Sequence, residues 1–408
     1  MGKLLIILYI LLVVMVAGLI SSTFFTGNTY SWHKTTTTTA DQEKVVVPSV
    51  TFLAAGDIML SRNVAGTIKK ANDSLLPFRG LENLLKSTDF NFANLESPIN
   101  GTDVAEPSPS VTFNSPSYTL PGLTEYNFKV LNLANNHAFD QYKPGLDSTE
   151  RYLAKQAITT LGSGETLDQA WQGKIVSTNN IDVGFIGASY ASENDGGTRK
   201  NNYIARIEDV DRLKASILDL KSRADFVVVT MHAGTEYERE PNQQQIDFAR
   251  AAIDAGADMV IGAHPHWIQT VERYAPNCPS PGDGEGALYR SGATGTGRER
   301  SKCGPPKYIF YSLGNFIFDQ MFSQDTREGL TLKITIDKPA DCHPEQSEGS
   351  NDIDSSLSLR MTEGCQAQLK QIELIPIIID NYCCPRIATP DESKDILNKI
   401  KLEQIILY

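Results

Sequence analysis

The stretch VTFLAAGD, residues 50–57, joins a short apolar run to a glycine and an aspartate. A short apolar run bounded by turn residues predicts a buried strand followed by a loop. The same arrangement recurs along the chain, where apolar runs over residues 89–95, 130–134, 226–231, 259–261 and 308–313 each lead into a polar loop. Each of these stretches is therefore predicted to be a strand that ends in a polar loop.

Helical periodicity appears between several of these predicted strands. Apolar residues recur every three or four positions over residues 207–220 and 246–253, and residues 144–156 form a third candidate helix. Strands that alternate with helices favour a layered α/β fold. Residues 329–337 and 369–379 look like strands with no helix between them, which predicts a mixed sheet.

The composition excludes some classes of function. The chain has 408 residues, of which 41% are hydrophobic and 21% are charged, as in globular proteins. Acidic residues outnumber basic ones by 49 to 37, which gives a formal net charge of -12. Because nucleic-acid binding needs a basic surface, a nucleic acid is not an expected partner. No internal period of roughly 20–50 residues is present, so a repeat architecture is not expected either.

The N-terminus predicts a membrane segment. Residues 4–20 form an apolar run, and Lys3 precedes it. A signal anchor with a transmembrane helix over residues 1–21 fits this run, and the basic residue before it predicts an exported body. A signal peptide cleaved near residues 17–22 is one alternative, and a buried core helix is another.

The rest of the chain divides into a tether and one domain. Residues 22–47 are rich in threonine and show no helical or strand period, so they are predicted to be an unfolded tether. Residues 48–408 would then form a single domain on the extracytoplasmic side of the cell membrane, held by a single pass. Two polar inserts, residues 276–306 and 340–367, are predicted to be surface loops of this domain.

Six cysteines lie in the last third of the chain. None of them stands in a C-x-x-C zinc pattern, and disulfides are the default interpretation in an exported domain. Pairing within each of the two inserts is the simplest arrangement, and free buried thiols are the alternative. The residues are Cys278, Cys303, Cys342, Cys365, Cys383 and Cys384.

Polar residues at the ends of the predicted strands could form one site. Ligands of α/β sheets collect at the carboxyl ends of strands. Oxygen and imidazole donors together suit manganese, iron or zinc. His264 and His266 would share a face of extended backbone, so that each could serve one of two adjacent ions, with Glu96 as a bridge. Two such ions can clamp a phosphate and activate water. The candidate ligands are Asp57, Glu96, Asn136, His232, His264 and His266.

Each of these residues also has an ordinary structural interpretation. An aspartate after a strand is usually a turn or capping residue. Asn135 and Asn136 could form a turn, and the sequence HPH at residues 264–266 could be a rigid loop. A single histidine is more often a hydrogen-bonded structural residue than a ligand. However, four of the six histidines follow apolar strands, and this coincidence favours one shared site.

Six ordered motifs resemble those of one protein family. They are GDIMLSR (56–62), NLE (94–96), ANNHAFD (134–140), MHAGTEY (231–237), GAHPH (262–266) and SLGNFIFD (312–319). Together they resemble the CapA family of poly-γ-glutamate capsule-biosynthesis proteins, which is itself similar to the calcineurin-like metallophosphatases. The resemblance implies a four-layer α/β/β/α metallophosphatase-like sandwich with mixed sheets, which the N-terminal transmembrane helix would precede.

The resemblance also implies a role for each candidate ligand. Asp57 would bind the first of two divalent ions, and Glu96 would bridge the two. Asn136 and His232 would bind the second ion, and the two histidines of HPH would take one ion each. The ions would be manganese, iron or zinc.

Three further residues receive roles from the resemblance. His137 would be the histidine that protonates a leaving oxygen, and Asp140 could orient it. Arg62 could pair with a phosphate or a carboxylate, although a surface arginine is the ordinary alternative. Two positions depart from the metallophosphatase pattern, since Met59 replaces a histidine and Glu96 an aspartate. Methionine is a poor ligand for hard divalent ions, so the first metal site is expected to be weak.

The resemblance implies a membrane-anchored, extracytoplasmic protein of poly-γ-glutamate or capsule biosynthesis or export. Its expected partners are an anionic surface polymer or its precursor, membrane-bound polymer synthase subunits and the membrane itself. The site would be that of a metal-dependent hydrolase that acts on a phosphoester, or on an amide or ester of a polymer. The alternative is a non-catalytic metal- or polymer-binding scaffold subunit on a phosphatase-like fold, which Met59 favours.

Overall fold

The computed structural model describes residues 47–100, 112–192, 201–276, 304–339 and 366–400. The predicted anchor and nearly all of the tether and of both inserts lie outside these ranges. No helix within them is long and apolar enough to cross a bilayer.

Fourteen strands lie within the described ranges, and they form two sheets. They are β1 (Ser49–Ile58), β2 (Phe90–Leu95), β3 (Phe128–Asn132), β4 (Thr159–Leu161), β5 (Lys174–Thr178), β6 (Ile181–Ser189), β7 (Phe226–His232), β8 (Met259–Ala263), β9 (Val271–Tyr274), β10 (Lys307–Phe310), β11 (Asn315–Ile317), β12 (Glu328–Asp337), β13 (Gln368–Asp380) and β14 (Cys384–Ile387).

Nine α-helices lie in the same ranges, together with short 3-10 turns at Leu76–Leu81 and Ser117–Thr119. The helices are α1 (Arg62–Ala71), α2 (Glu82–Leu85), α3 (Pro121–Glu125), α4 (Tyr142–Lys155), α5 (Leu167–Ala170), α6 (Val210–Lys221), α7 (Gln243–Asp254), α8 (Gln324–Arg327) and α9 (Pro390–Lys399).

Both sheets are mixed, as the sequence predicts. The first has the order β14-β13-β12-β1-β2-β3-β4, with β11 also paired to β1. Strands β1 to β4 and β11 run parallel, whereas β12, β13 and β14 pair antiparallel. The second has the order β5-β6-β7-β8-β10-β9, with a parallel centre and an antiparallel strand at each edge.

The two sheets pack face to face through a cluster of aromatic and aliphatic side chains. Phe52 of β1 and Phe90 of β2 stack with their ring centroids 5.1 Å apart. Phe185 of β6, in the opposite sheet, lies 6.0 Å from the ring of Phe52 and 6.1 Å from that of Phe90. Because side chains alternate between the faces of a strand, the neighbouring residues of β1 point to the other side.

Helices cover the outer face of each sheet. Val64 of α1 and Leu146 of α4 are buried in one cluster with Leu131 of the first sheet. Ile217 of α6 and Phe248 of α7 are buried in another cluster with residues of the second sheet. The layer order is therefore α/β/β/α, which confirms the layered fold implied by the sequence motifs.

The structure corrects two predicted strand ends. Strand β3 ends at Asn132 rather than at Ala134, because the Asn132 side chain bonds to the backbone N–H and C=O of Ala134. Strand β10 ends at Phe310, and the chain turns at Gly314, where φ is +68°, before it resumes as β11 beside β1.

The cysteine prediction is resolved for one pair. Cys383 and Cys384 are joined by a disulfide between adjacent residues, at the turn from β13 to β14. For these two cysteines the free-thiol alternative is wrong. The pairs predicted within the inserts lie outside the described residues.

Candidate metal centre

The carboxyl ends of the parallel strands of both sheets meet at one place. Asp57 lies near the end of β1, and Glu96 follows β2 directly. His232 is the last residue of β7 and His264 follows β8. Asn136 lies in the turn after β3. All five are buried, so the fold carries polar side chains from two sheets into one closed site.

Six of the predicted site residues form two groups that share one carboxylate. Potential ligand atoms of Asp57, Glu96 and His266 lie within 4.8 Å of one another, and so do those of Glu96, His232 and His264. The sixth, the predicted ligand Asn136, joins the second group, since its Oδ1 lies 2.7 Å from His232 Nε2. Such a pair of groups could hold two ions with Glu96 between them.

Glu96 is an unusual buried carboxylate. Both of its oxygens are buried, and neither has a hydrogen-bond partner among the described residues. The Nε2 atoms of His232 and His266 lie 3.7 and 3.9 Å from its Oε1. Burial, and next the charge of Asp57, raise the pKa of Glu96 well above its usual value. A buried carboxylate of this kind is costly unless a cation compensates it, so the donor set fits a divalent metal ion.

The surroundings of His232 and His264 keep both imidazoles neutral. Burial lowers the pKa of His232 well below its usual value, and the neighbouring His264 and His266 lower it further. Burial and His266 have the same effect on the pKa of His264. Metal ions bind neutral imidazole, so these histidines need not lose a charge when an ion enters.

The loop that carries HPH is locally strained. His264 has a φ of +101° and His266 a φ of +58°, in the left-handed region that non-glycine residues rarely adopt. Such conformations persist where the surrounding structure imposes them, and they occur at functional sites. Here they bring two imidazoles from one short segment into the two ligand groups that share Glu96.

His137 has the environment of a proton-transfer residue. Its Nδ1 donates to Asp140 Oδ2 over 2.7 Å, and its Nε2 lies 3.8 Å from Glu96 Oε1. The backbone N–H of Phe113 also donates to Asp140 Oδ2, and the Phe113 ring stacks on the imidazole at a centroid distance of 4.0 Å. The predicted pairing of His137 with Asp140 is therefore present, and the other ring nitrogen, Nε2, faces the candidate ligand Glu96.

Comparison with known proteins identifies the family. The sequence model of the family described as bacterial capsule synthesis protein PGA_cap matches residues 51–320. The chain belongs to this family. The PGA biosynthesis protein CapA of Bacillus subtilis (strain 168) is 31% identical over 306 residues, which cover 73% of this chain and 72% of that protein. The capsule biosynthesis protein CapA of Bacillus anthracis is 27% identical over 291 residues, which cover 69% of this chain and 62% of that protein.

A solved structure described as a novel phosphatase of Mycoplasma pneumoniae resembles this PGA_cap chain weakly. The sequence identity is 13% and the TM-score is 0.45, with 87% of this chain and 100% of that chain covered.

Arg62 of the PGA_cap chain packs against the Phe113 ring and is tied to an acidic residue. Its guanidinium bonds to Asp319 and lies 4.7 Å from the centre of the Phe113 ring. Asp319 also accepts hydrogen bonds from the backbone and side chain of Asn63 at the start of α1. Arg62 is thus held against Phe113, the ring that stacks on His137, by a carboxylate of the protein.

Two asparagines in the site were not singled out from the sequence. Asn94 Nδ2 donates to Asp57 Oδ1 over 2.8 Å and lies 3.1 Å from His232 Nδ1. Asn315 Oδ1 lies 2.9 Å from His266 Nδ1. Both residues stand inside the PGA_cap motifs NLE and SLGNFIFD, which was the available signal.

Met59 of the PGA_cap chain is a core residue. It is fully buried in the apolar cluster between the first sheet and its helices, and its Sδ accepts a hydrogen bond from the Ser61 backbone N–H over 3.1 Å. Met59 is thus a packing residue, and a thioether is a poor ligand for hard divalent ions.

Proposed function

We propose that this chain is a membrane-anchored, extracytoplasmic protein of capsule or poly-γ-glutamate biosynthesis or export, with a metal-dependent hydrolase centre. Membership of the PGA_cap family supports the role in a surface polymer. The apolar run near the N-terminus supports the anchor. The chemistry of the buried site supports hydrolysis of a bond in the polymer or its precursor.

The observation that carries the hydrolase proposal is the position of Glu96. Its two oxygens are buried without a hydrogen-bond partner among the described residues, between two groups of potential ligands. Asp57, Glu96 and His266 would hold one divalent ion, and Glu96, Asn136, His232 and His264 would hold the other. When bound, manganese, iron or zinc ions would activate water and attract an anionic group of the substrate.

The residues of the chain supply the proton chemistry. His137 can exchange a proton at Nε2 with an oxygen bound near Glu96, while Asp140 stabilises the charged imidazole through Nδ1. The stacked ring of Phe113 keeps the imidazole in this orientation. Arg62, held by Asp319 against Phe113, would attract a phosphate or carboxylate of the substrate.

The proposed partners follow from the family and the charge. The net charge of -12 gives no general attraction for an anionic polymer, so the metal ions and Arg62 would supply a local attraction for such a substrate. Membrane-bound polymer synthase subunits are the proposed protein partners, and the membrane would be contacted through residues 1–21.

A non-catalytic scaffold on the same fold is the second candidate. The burial of Met59 in the core favours it, because the first ion would have three protein side chains, Asp57, Glu96 and His266. A weakly held first ion would leave a site that binds metal or polymer without turnover.

His137→Gln separates the two candidates. The metal-loaded full chain is assayed with an aryl phosphate ester and with a γ-glutamyl amide, and its metal content is measured in parallel. A hydrolase loses turnover on the order of 10²-fold or more in this variant, because the proton-transfer group is gone. The metal content stays the same, because His137 belongs to neither ligand group.

A complementation experiment tests whether capsule formation needs His137. His137→Gln is expressed in a capsule-forming host from which the protein has been deleted. Absence of capsule polymer supports the hydrolase. Full capsule formation, together with no turnover by the wild type, would establish the scaffold instead.

A further inference from the structure

We infer that Asn315 is a positioning residue that holds the proton of His266 on Nδ1 and so leaves the lone pair of Nε2 facing Glu96. The consequence for metal binding rests on the proposed function. The proton position itself does not, since it is a property of the metal-free protein.

The amide of Asn315 has one orientation. Its Nδ2 lies 2.9 Å from the backbone oxygen of Thr326 and 3.1 Å from Gln320 Oε1. A backbone carbonyl can only accept a hydrogen bond, so the NH2 group must face Thr326. The side-chain oxygen of Asn315 therefore faces His266.

The orientation of the amide decides the tautomer of the histidine. Asn315 Oδ1 can only accept, and it lies 2.9 Å from His266 Nδ1, so Nδ1 must donate. Asp57 Oδ2, another acceptor, lies 3.5 Å from the same nitrogen. A neutral imidazole carries one N–H, so Nε2 holds the lone pair. This nitrogen lies 3.9 Å from Glu96 Oε1, which has no hydrogen-bond partner among the described residues.

The partners of Asn315 are themselves fixed. Thr326 Oγ1 donates to the backbone oxygen of Gln320 over 2.8 Å, and the Thr326 N–H donates to Ser323 Oγ at the start of α8. Gln320 Nε2 donates to the hydroxyl of Tyr237 over 3.2 Å. The loop from β11 to α8 thus provides a rigid frame for one amide, and Asn315 is only 1% exposed.

The second ligand group is arranged differently. The side-chain oxygen of Asn94 accepts a hydrogen bond from Asn132 Nδ2, so the NH2 group of Asn94 faces the other way. This NH2 group donates to Asp57 Oδ1 and also lies 3.1 Å from His232 Nδ1. Asn94 is therefore a donor where Asn315 is an acceptor. Loss of the Asn315 oxygen should affect the ion held by His266 and not the ion held by His232.

The tautomer can be measured directly. The metal-free full chain, labelled with 15N-histidine, is studied at a pH near 8.5, where ordinary imidazoles are neutral, by long-range 1H–15N correlation. The signals of His266 are identified by their loss in His266→Gln. We expect protonated Nδ1 and unprotonated Nε2 in the wild type. Protonation on Nε2 would overturn the inference, and this spectrum decides it even where a variant fails to fold.

Three variants test the role of the side-chain oxygen. Asn315→Leu removes it and should produce an Nε2–H or mixed signature at His266. Asn315→Asp keeps an acceptor and should keep the Nδ1–H signature. Asn91→Leu is the matched control, because Asn91 is a buried asparagine that bonds to the backbone of Leu85 and Tyr126, away from the site. An unchanged Nδ1–H signature in Asn315→Leu would contradict the role of Asn315.

Manganese titration then measures the consequence. In Asn315→Leu the affinity for one of two ions should fall about 10-fold or more, as for other partners of metal-bound histidines, while the other ion is unaffected. Asn315→Asp should restore the lost affinity. An equal fall in the affinity for both ions would show that the substitution disturbs the whole site, and it would contradict a specific role of Asn315 at His266. If the wild type binds no manganese but shows the Nδ1–H signature, the proposed function fails and the tautomer assignment stands.

Discussion

The burial of the Glu96 carboxylate carries the main free-energy cost of the site. A buried carboxylate without hydrogen bonds, close to Asp57, is tolerated in a stable fold only where something else compensates it. Burial and neighbouring imidazoles lower the pKa of His232 and of His264, so these two side chains do not supply that charge. We therefore expect the Glu96 carboxylate to favour metal binding and to lower the stability of the metal-free protein.

Glu96→Gln should stabilise the metal-free protein and abolish metal binding. The amide has the shape of the carboxyl group but cannot ionise, and the free energy of unfolding should rise by on the order of 1 kcal/mol. Glu328→Gln is the matched control, because Glu328 is a buried carboxylate that pairs with Lys399. Loss of this pair should lower the stability of the protein. Thermal unfolding after chelation measures both. A loss of stability in Glu96→Gln would mean that its carboxylate is compensated within the protein.

Asp140→Asn should impair proton transfer without affecting the metal ions. The neutral amide no longer stabilises a charged His137, so we expect turnover to fall on the order of 10²-fold with unchanged metal content. Asp147→Asn is the control, since Asp147 is a carboxylate of α4 that pairs with Lys143. Turnover of Asp140→Asn equal to that of Asp147→Asn would remove the proton-transfer role of His137 and Asp140.

The sequence predicts which side chains meet, but not how each is held. Polar residues after apolar strands point to one edge of the fold, and the structure brings Asp57, Glu96 and the histidines together there. The roles of Asn94 and Asn315 depend on which way an amide faces, and only its neighbours in space decide that. The same is true of Asp319, which lies far from Arg62 in the sequence and pairs with it.

The elements place the site through close contacts between strand ends. A Cβ added to Gly56 would lie 1.8 Å from the backbone oxygen of Gly314, where β1 meets the turn before β11. The Asp57 N–H donates to that same oxygen over 3.1 Å. Glycine at position 56 thus lets the turn pack beside the first ligand of the site.

Gly56→Ala should be destabilising, by about 1–3 kcal/mol or more, because a backbone oxygen would have to move. Gly66→Ala is the matched control, since Gly66 lies in α1 and an added Cβ meets nothing within 4 Å. There the change should stabilise by roughly 0.5–1 kcal/mol through helix propensity. Denaturant unfolding of the full chain measures both. Equal stability of the two variants would contradict the tight contact between β1 and the Gly314 turn.

Element types were easier to predict from the sequence than element ends. The apolar stripe of residues 246–253 indicates a helix, but α7 begins at Gln243, because Asn242 and Gln245 form a capping box before the first apolar residue. Strands β4, β5, β9, β11 and β14 were not predicted, because each has five residues or fewer and so carries little apolar pattern. Strand β6 was also missed, although it has nine residues and is almost entirely buried, because Gly184 and Gly187 interrupt its apolar run.

At the scale of the whole molecule, two sheets supply one site. The first contributes Asp57, Glu96 and Asn136, and the second contributes His232 and the HPH loop. Neither sheet carries a complete ligand group, since Glu96 must face histidines from the opposite sheet. Metal binding should therefore couple to the packing of the two sheets and raise the stability of the whole domain.

The proposed anchor is tested by removal of residues 1–21. The apolar run of residues 4–20 would be buried in the bilayer, so the full chain should stay with the membrane fraction after a high-salt wash. The shortened chain should appear in the soluble fraction. Its continued presence in the membrane fraction, or a soluble full chain, would contradict the anchor.

The claim that this site binds two metal ions is tested by measuring the bound-metal stoichiometry of the full chain. Elemental analysis is carried out after manganese, zinc or iron has been supplied. The account predicts about two ions per chain, one lost in His266→Ala and the other in His264→Ala, because each histidine belongs to one ligand group. Metal at background level in the wild type under all three conditions would contradict it, and Glu96 would then be a buried carboxylate with no cation to bind.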